Sequence, residues 1–237
     1  MNKKKIQLFC MPFAGGSAVA FSELSTFLDE SIDVYIIEYP GRGTRMKEPF
    51  CETMAELILD AKSQVERNRN VELPFALLGY SMGVEVAFNL AQYELSEKPE
   101  HVFFAAREAI NYDTIGHNYS LLDKEVFIEK VVALGGIDER ILNNKRFLDI
   151  YIRPVYADYK LLHDYIYQEE KGKIQSDVTV FYCESDTPFI RVKDWGDFTR
   201  GEVDFFELGD NHFFIQQHAR EMAKIISKKC KSIIDHR

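Results

Sequence analysis

The chain has 237 residues, 46% of them hydrophobic and 28% charged, and a formal net charge of −9; this is enough apolar material for the core of one α/β domain. Such an acidic chain is a poor nucleic-acid binder, because phosphate contacts need clustered Lys and Arg, and the basic runs Lys3-Lys4-Lys5 and Lys228-Lys229 with Lys231 read as solvated tails near the termini. No stretch approaches 18 apolar residues, so no membrane span is expected, and the run Ile6–Met11, broken by Pro12, is too short for a secretory signal.

In chain order, Ile6–Met11, Val34–Tyr39, Phe75–Gly79, Val102–Ala106, Val178–Cys183 and Val203–Leu208 predict strands, being short, apolar and bounded by turn residues. Helical patterns lie between them near 19–29, 52–68, 83–96 and 215–233. This alternation predicts a mostly parallel sheet with helices on both faces. The rhythm breaks at about 119–170, where three helix-like pieces and no strand predict a helical insertion, a lid or a plain helical layer. Asp123 and Asp138 are expected to cap the first two pieces, and Pro154 to sit near the start of the third, which carries Tyr156, Tyr159, Leu162, Tyr165 and Ile166. The four cysteines show no metal-ligand spacing. Cys10 and Cys183, inside strand-like runs, are expected as buried free thiols, which fits a reducing compartment and a cytoplasmic location.

Gly79-Tyr80-Ser81-Met82-Gly83 matches G-x-S-x-G between a strand and a helix. That context predicts the nucleophile elbow of an α/β-hydrolase, with Ser81 exposed on a strained turn. A serine hydroxyl needs a base, and this fold orders its triad Ser, acid, His. Of the histidines late in the chain, His236 lies in the tail and His218 in the last helix pattern. His212 follows a strand through Gly209-Asp210-Asn211 and is the expected base. Asp186, in the turn after the strand Val178–Cys183, is the expected orienting acid, with Glu184 and Asp113 as alternatives; Asp210 reads as a turn residue. The oxyanion hole is expected from the Met82 amide and one from Pro12-Phe13-Ala14-Gly15-Gly16, with Ala14 favoured and Phe13 next. No P-loop or dinucleotide fingerprint is present.

These residues and several further blocks, in order, resemble the type II thioesterases of nonribosomal peptide and polyketide synthetases. The blocks are Met11-Pro12-Phe13-Ala14-Gly15-Gly16, Tyr39-Pro40-Gly41-Arg42-Gly43-Thr44-Arg45, Leu78 to Gly83 and Leu134-Gly135-Gly136. They continue with Arg153-Pro154, Ala157-Asp158-Tyr159, Trp195 and Asn211-His212-Phe213-Phe214. The resemblance implies one α/β-hydrolase domain over 1–237 with a lid at about 119–170. It implies hydrolysis of acyl thioesters on the phosphopantetheine arm of carrier-protein domains, the arm belonging to the partner, with no metal or dissociable cofactor and a monomeric enzyme. It maps the triad onto Ser81, Asp186 and His212, and the oxyanion amides onto Ala14 and Met82. Three features depart from the family pattern: Tyr80 where His is common, Val84 where a small residue is common, and an acid loop, Cys183 to Asp186, without its usual glycine. Two other readings stay open: a chain-releasing fatty-acyl thioesterase or general esterase, and a non-catalytic binding protein on the same fold.

Overall fold

The computed structural model describes residues 5–112, 117–135, 137, 139–165 and 172–236. Among them, six parallel strands form one sheet: β1 (Ile6–Met11), β2 (Ile32–Ile36), β3 (Phe75–Tyr80), β4 (His101–Ala105), β5 (Asp177–Tyr182) and β6 (Val203–Glu207). Their order is β2-β1-β3-β4-β5-β6. The chain therefore reverses its direction of travel across the sheet between β1 and β3. Loops beyond the carboxyl ends of those two strands flank the switch point, where open α/β sheets place their ligands.

Nine helices accompany the sheet: α1 (Ser22–Phe27), α2 (Met54–Asn68), α3 (Met82–Asn89), α4 (Lys124–Ala133), α5 (Glu139–Leu142), α6 (Lys145–Asp164), α7 (Phe189–Val192), α8 (Phe214–Gln217) and α9 (Ala219–Asp235), counted among the described residues. Side-chain alternation along the strands decides which helix covers which face. Phe9, Met11, Phe75, Leu77, Val102 and Phe104 join a core with Leu57, Ala61 and Val65 of α2 and Val84, Val86 and Phe88 of α3. Leu8, Cys10, Ala76, Leu78, Phe103 and Ala105 join a second core with Leu24 of α1 and Met222, Ile226 and Cys230 of α9. Strands buried on both faces read as continuous apolar runs, which is why the sequence shows them so plainly.

The structure moves several predicted boundaries. β2 is Ile32–Ile36 rather than Val34–Tyr39: after Ile37 N–H donates to Cys10 C=O (2.9 Å) the chain turns off the sheet towards Pro40. The helix after Ser81 stays α-helical only to Asn89 and continues as a π turn, Leu90–Glu94. The last helix is two pieces, broken at His218 (φ −115°), whose amide closes α8 on Phe214 C=O (2.7 Å). Lys229 and Lys231 are not tail residues; they lie on α9 and pair with Asp204 and, at 2.6 Å, with Asp29.

Within the insertion, Asp123 stands at the start of α4, but its side chain makes no capping bond. Asp138, Gly136, Ile166 and Tyr167 lie outside the described residues, as does Asp113. Pro154 is not near a helix start: α6 begins at Lys145, capped by the Asn144 side chain, which accepts from Arg146 and Phe147 N–H, and runs through Pro154. An interior proline costs about 3 kcal/mol. Burial of Ile152, Val155, Asp158, Tyr159, Leu161 and Leu162 along one face offsets that cost. All four cysteines are free, with Cys10 and Cys183 buried as expected and Cys230 buried as well. Among the described residues no helix is long and apolar enough to cross a membrane.

Candidate active site

Ser81 follows β3 directly, at the N-cap of α3, with φ 51° and ψ −119°, a backbone region that L-residues enter at a cost. Its neighbours hold it there. Ser81 N–H donates to Ala105 C=O of β4 (2.8 Å), and Val84 N–H donates back to Ser81 C=O (2.9 Å) to open α3. Gly83 has no substitute, because a Cβ there would run into the Met11 carbonyl of β1. The turn thus presses the start of α3 against the end of β1 and the loop that follows it.

His212 and Asp186 come from loops beyond the carboxyl ends of β6 and β5. The His212 Nε2 lies 3.0 Å from Ser81 Oγ, and Nδ1 lies 2.7 Å from Asp186 Oδ2. These distances assign the tautomer: Nδ1–H donates to the carboxylate, which leaves Nε2 to accept the serine proton. The three predicted residues, separated by up to 131 positions, form one hydrogen-bonded chain.

The alternatives for the acid have other partners. Glu184 Oε2 accepts from Phe189 N–H (2.9 Å) at the start of α7. Asp210 accepts from the Asn211 side chain (3.0 Å), while Asn211 itself accepts from Phe213 N–H (2.9 Å) in a local turn. The acid loop needs no glycine, because Asp186 and Thr187 N–H both donate to Cys183 C=O (3.0 and 2.8 Å) and fold it as a tight turn. Ser185 Oγ then donates to Asp210 C=O (2.7 Å), stitching the acid loop to the base loop.

Tyr80 explains one of the departures. Its ring is fully buried, and its hydroxyl donates to the backbone carbonyl of His212 (2.6 Å) while receiving Ile215 N–H (3.4 Å). Burial raises the phenol pKa far above its usual value, so it remains a donor. Tyr80 therefore braces the loop that carries His212. Val84, the other departure, is fully buried in the core shared by α2 and α3 and displaces no member of the triad.

Ala14 lies in the cleft with Ser81 and His212, beside Phe13, Val131, Val155 and Tyr159. In the same loop Gly15 N–H is taken by Asp158 (2.7 Å) and Gly16 N–H by Phe13 C=O (2.8 Å), which leaves those two amides engaged away from the serine. The cleft over Ser81 has a volume of only about 20 Å³, room for about one water molecule. A far larger cleft of about 1080 Å³ lies outside it, between the loop at Phe50–Glu52 and helices α4 and α6, with Arg153, Tyr156 and Lys160 in its wall. None of Ser81, His212 and Asp186 lines that cleft, whereas Ser81 and His212 both line the small one.

A strained serine at the switch point of a parallel sheet, joined to histidine and carboxylate from two later strands, defines a serine hydrolase of the α/β-hydrolase fold. The chain belongs to the thioesterase domain family, whose model matches residues 6–230, and is thereby a hydrolase acting on thioesters. It is similar to the gramicidin S biosynthesis protein GrsT of Aneurinibacillus migulanus, with 28% identity over 97% of this chain and 91% of that protein. It is also similar to the medium-chain S-acyl fatty acid synthase thioesterase of Anas platyrhynchos, with 30% identity over 94% of this chain and 91% of that protein. Among solved structures it resembles ClbQ from the colibactin NRPS/PKS pathway, with TM-score 0.86 and 26% identity over 97% of this chain and 98% of that one.

Proposed function

We propose that the protein is an editing type II thioesterase, removing acyl groups from the phosphopantetheine arm of carrier-protein domains in a nonribosomal peptide or polyketide synthetase, with Ser81, His212 and Asp186 as its triad. The observation that carries the chemistry is the chain of 3.0 and 2.7 Å contacts from Ser81 through His212 to Asp186. The motif blocks and the similarity to GrsT and ClbQ support the carrier-bound substrate.

Ser81 Oγ attacks the thioester carbonyl while His212 Nε2 takes its proton. Negative charge collects on the carbonyl oxygen against the Ala14 and Met82 amides. The C–S bond breaks, and the pantetheine sulfur leaves with the proton held by His212. Water then attacks the acyl-serine, giving a proton to His212; the free acid departs, and Ser81 Oγ recovers its proton. Asp186 holds the imidazole and stabilises its charged form. The residues need no metal for this sequence. Because the cleft over Ser81 holds about one water, an acyl group enters only when the α4 side of the roof moves, with α6 staying in place.

Rates on acyl-loaded carrier, acyl-CoA and p-nitrophenyl esters test the reading. The carrier substrate is expected to have the highest kcat/KM. Equal rates on carrier and acyl-CoA would favour a fatty-acyl thioesterase, a reading that the 30% identity to the Anas platyrhynchos enzyme supports.

A further inference from the structure

Three of the motif blocks contribute no member of the triad, yet they meet at one buried point. Asp158 of α6 is 1% exposed and Arg42 is 6% exposed. The Arg42 guanidinium grips the carboxylate with both ends, Nη2 to Oδ1 at 2.7 Å and Nη1 to Oδ2, while its Nε donates to Pro40 C=O (3.3 Å). The same Oδ2 accepts Gly15 N–H at 2.7 Å. Gly15 has φ +76°, and a Cβ there would strike Val155, one helical turn before Asp158. So α6 lies directly on the oxyanion loop, through a van der Waals contact and a charge-assisted hydrogen bond one turn apart.

We propose that Asp158 is a positioning residue for the oxyanion hole, with Arg42 holding its carboxylate in place. The inference rests on the reading of Ala14 as an oxyanion donor. Ala14 sits between two anchored points. The Gly16 amide is tied to Phe13 C=O (2.8 Å), and the Gly15 amide to Asp158. Both ties hold the Phe13–Ala14 peptide in one orientation, in a loop whose Ala14 lines the cleft together with Ser81. Without Asp158 the loop regains freedom, and the buried Gly15 amide must find another acceptor. An oxyanion donor works only when it is in place before charge develops, so the loss falls on the transition state. The arrangement also ties roof to floor, since α6 sends Val155 and Tyr159 into the roof cluster and Leu161 and Leu162 into the main core.

The test compares wild type, Asp158→Ala and the double variant Arg42→Met with Asp158→Leu. The double variant removes both charges together, a replacement that buried ion pairs commonly tolerate. Turnover of p-nitrophenyl butyrate is measured per serine labelled by a fluorophosphonate at completion, so misfolded protein does not count and the identity of the natural substrate does not matter. Removing an oxyanion donor outright costs about 10²–10³ in kcat. Misplacing one is expected to lower kcat per labelled serine by about 10- to 100-fold in both variants, with KM within about threefold, and to weaken a trifluoromethyl ketone inhibitor by the same factor as kcat/KM. Wild-type kcat per labelled serine in either folded variant would overturn the proposal. So would a kcat loss with undiminished ketone affinity.

Discussion

Beneath Ser81 the sheet is a floor whose central strands β1, β3 and β4 are buried along their whole length. Above it, the roof of α4 to α6 rests on a cluster of five buried side chains, Phe127, Val131, Ile152, Val155 and Tyr159, and leaves Phe147 and Ile150 more than half exposed. The floor fixes geometry: a strained serine, a braced histidine and two linked loops. The roof rests on the smaller cluster and closes the cleft to about one water. Stability differs locally in proteins, and parts that move for binding come from the weakly held end. On the proposed function, chemistry falls to the sheet and access to the insertion, with α6 packed into both the roof cluster and the main core.

Breaking the floor should have the largest effects. Ser81→Ala is expected to remove turnover on the order of 10⁶-fold, and His212→Ala about as much, as for other serine triads; steady-state rates with an unchanged circular-dichroism melt check both. Asp186→Asn should cost roughly 10⁴-fold, because the amide favours the wrong imidazole tautomer. Glu184 cannot substitute while it caps α7, so Glu184→Gln should leave kcat near wild type.

Tyr80→Phe sharpens the comparison, since it removes the 2.6 Å bond to His212 C=O together with the longer one from Ile215 N–H and keeps the ring. A bond of ordinary strength is worth about 1 kcal/mol. The expected outcome is therefore a loss of roughly 5-fold in kcat, with nucleophile labelling slowed in proportion. A Tyr80→Phe enzyme at full kcat would show that the His212 loop is held by its other contacts.

The last effect leaves turnover at neutral pH untouched; it concerns stability and locates a pH response in the sheet. His101 on β4 is buried, with Nε2 2.8 Å from Thr179 Oγ1. Burial, with Lys229 nearby as the next cause, lowers its pKa from 6.5 to about 4. The unfolded chain therefore takes up the proton first as pH falls. The contribution is complete above pH 6.5 and is lost progressively towards pH 4, amounting to about 2 kcal/mol by pH 5. Denaturant midpoints at pH 7 and pH 5 should show this slope, and His101→Gln should flatten it.

Much of this was legible in the residues themselves. Strands buried on both faces announce themselves as apolar runs, and G-x-S-x-G between strand and helix locates Ser81 without any structure. His212 and Asp186 followed from chain order and from loops beyond strand ends. What one sequence could not show is which distant blocks touch. Tyr80 looked like a departure near the nucleophile, and only its hydroxyl's contact with the His212 carbonyl reveals a brace. Arg42, Asp158 and Gly15 stood in three motif blocks with no visible reason to be together; a bidentate pair across 116 positions has no local signature. Pro154 misled for a physical reason: local proline preference pointed to a helix start, and tertiary burial along α6 outweighed it. The true signal was Asn144, a capping residue just ahead of the apolar pattern.

The most direct test is an intact-mass measurement on protein quenched during turnover of a slow acyl-pantetheine thioester, followed by peptide mapping. One acyl group per molecule is expected, carried on Ser81, that disappears as free acid accumulates and never forms in Ser81→Ala. Acid released at the wild-type rate by Ser81→Ala, or an acyl group found on any other side chain, would contradict it.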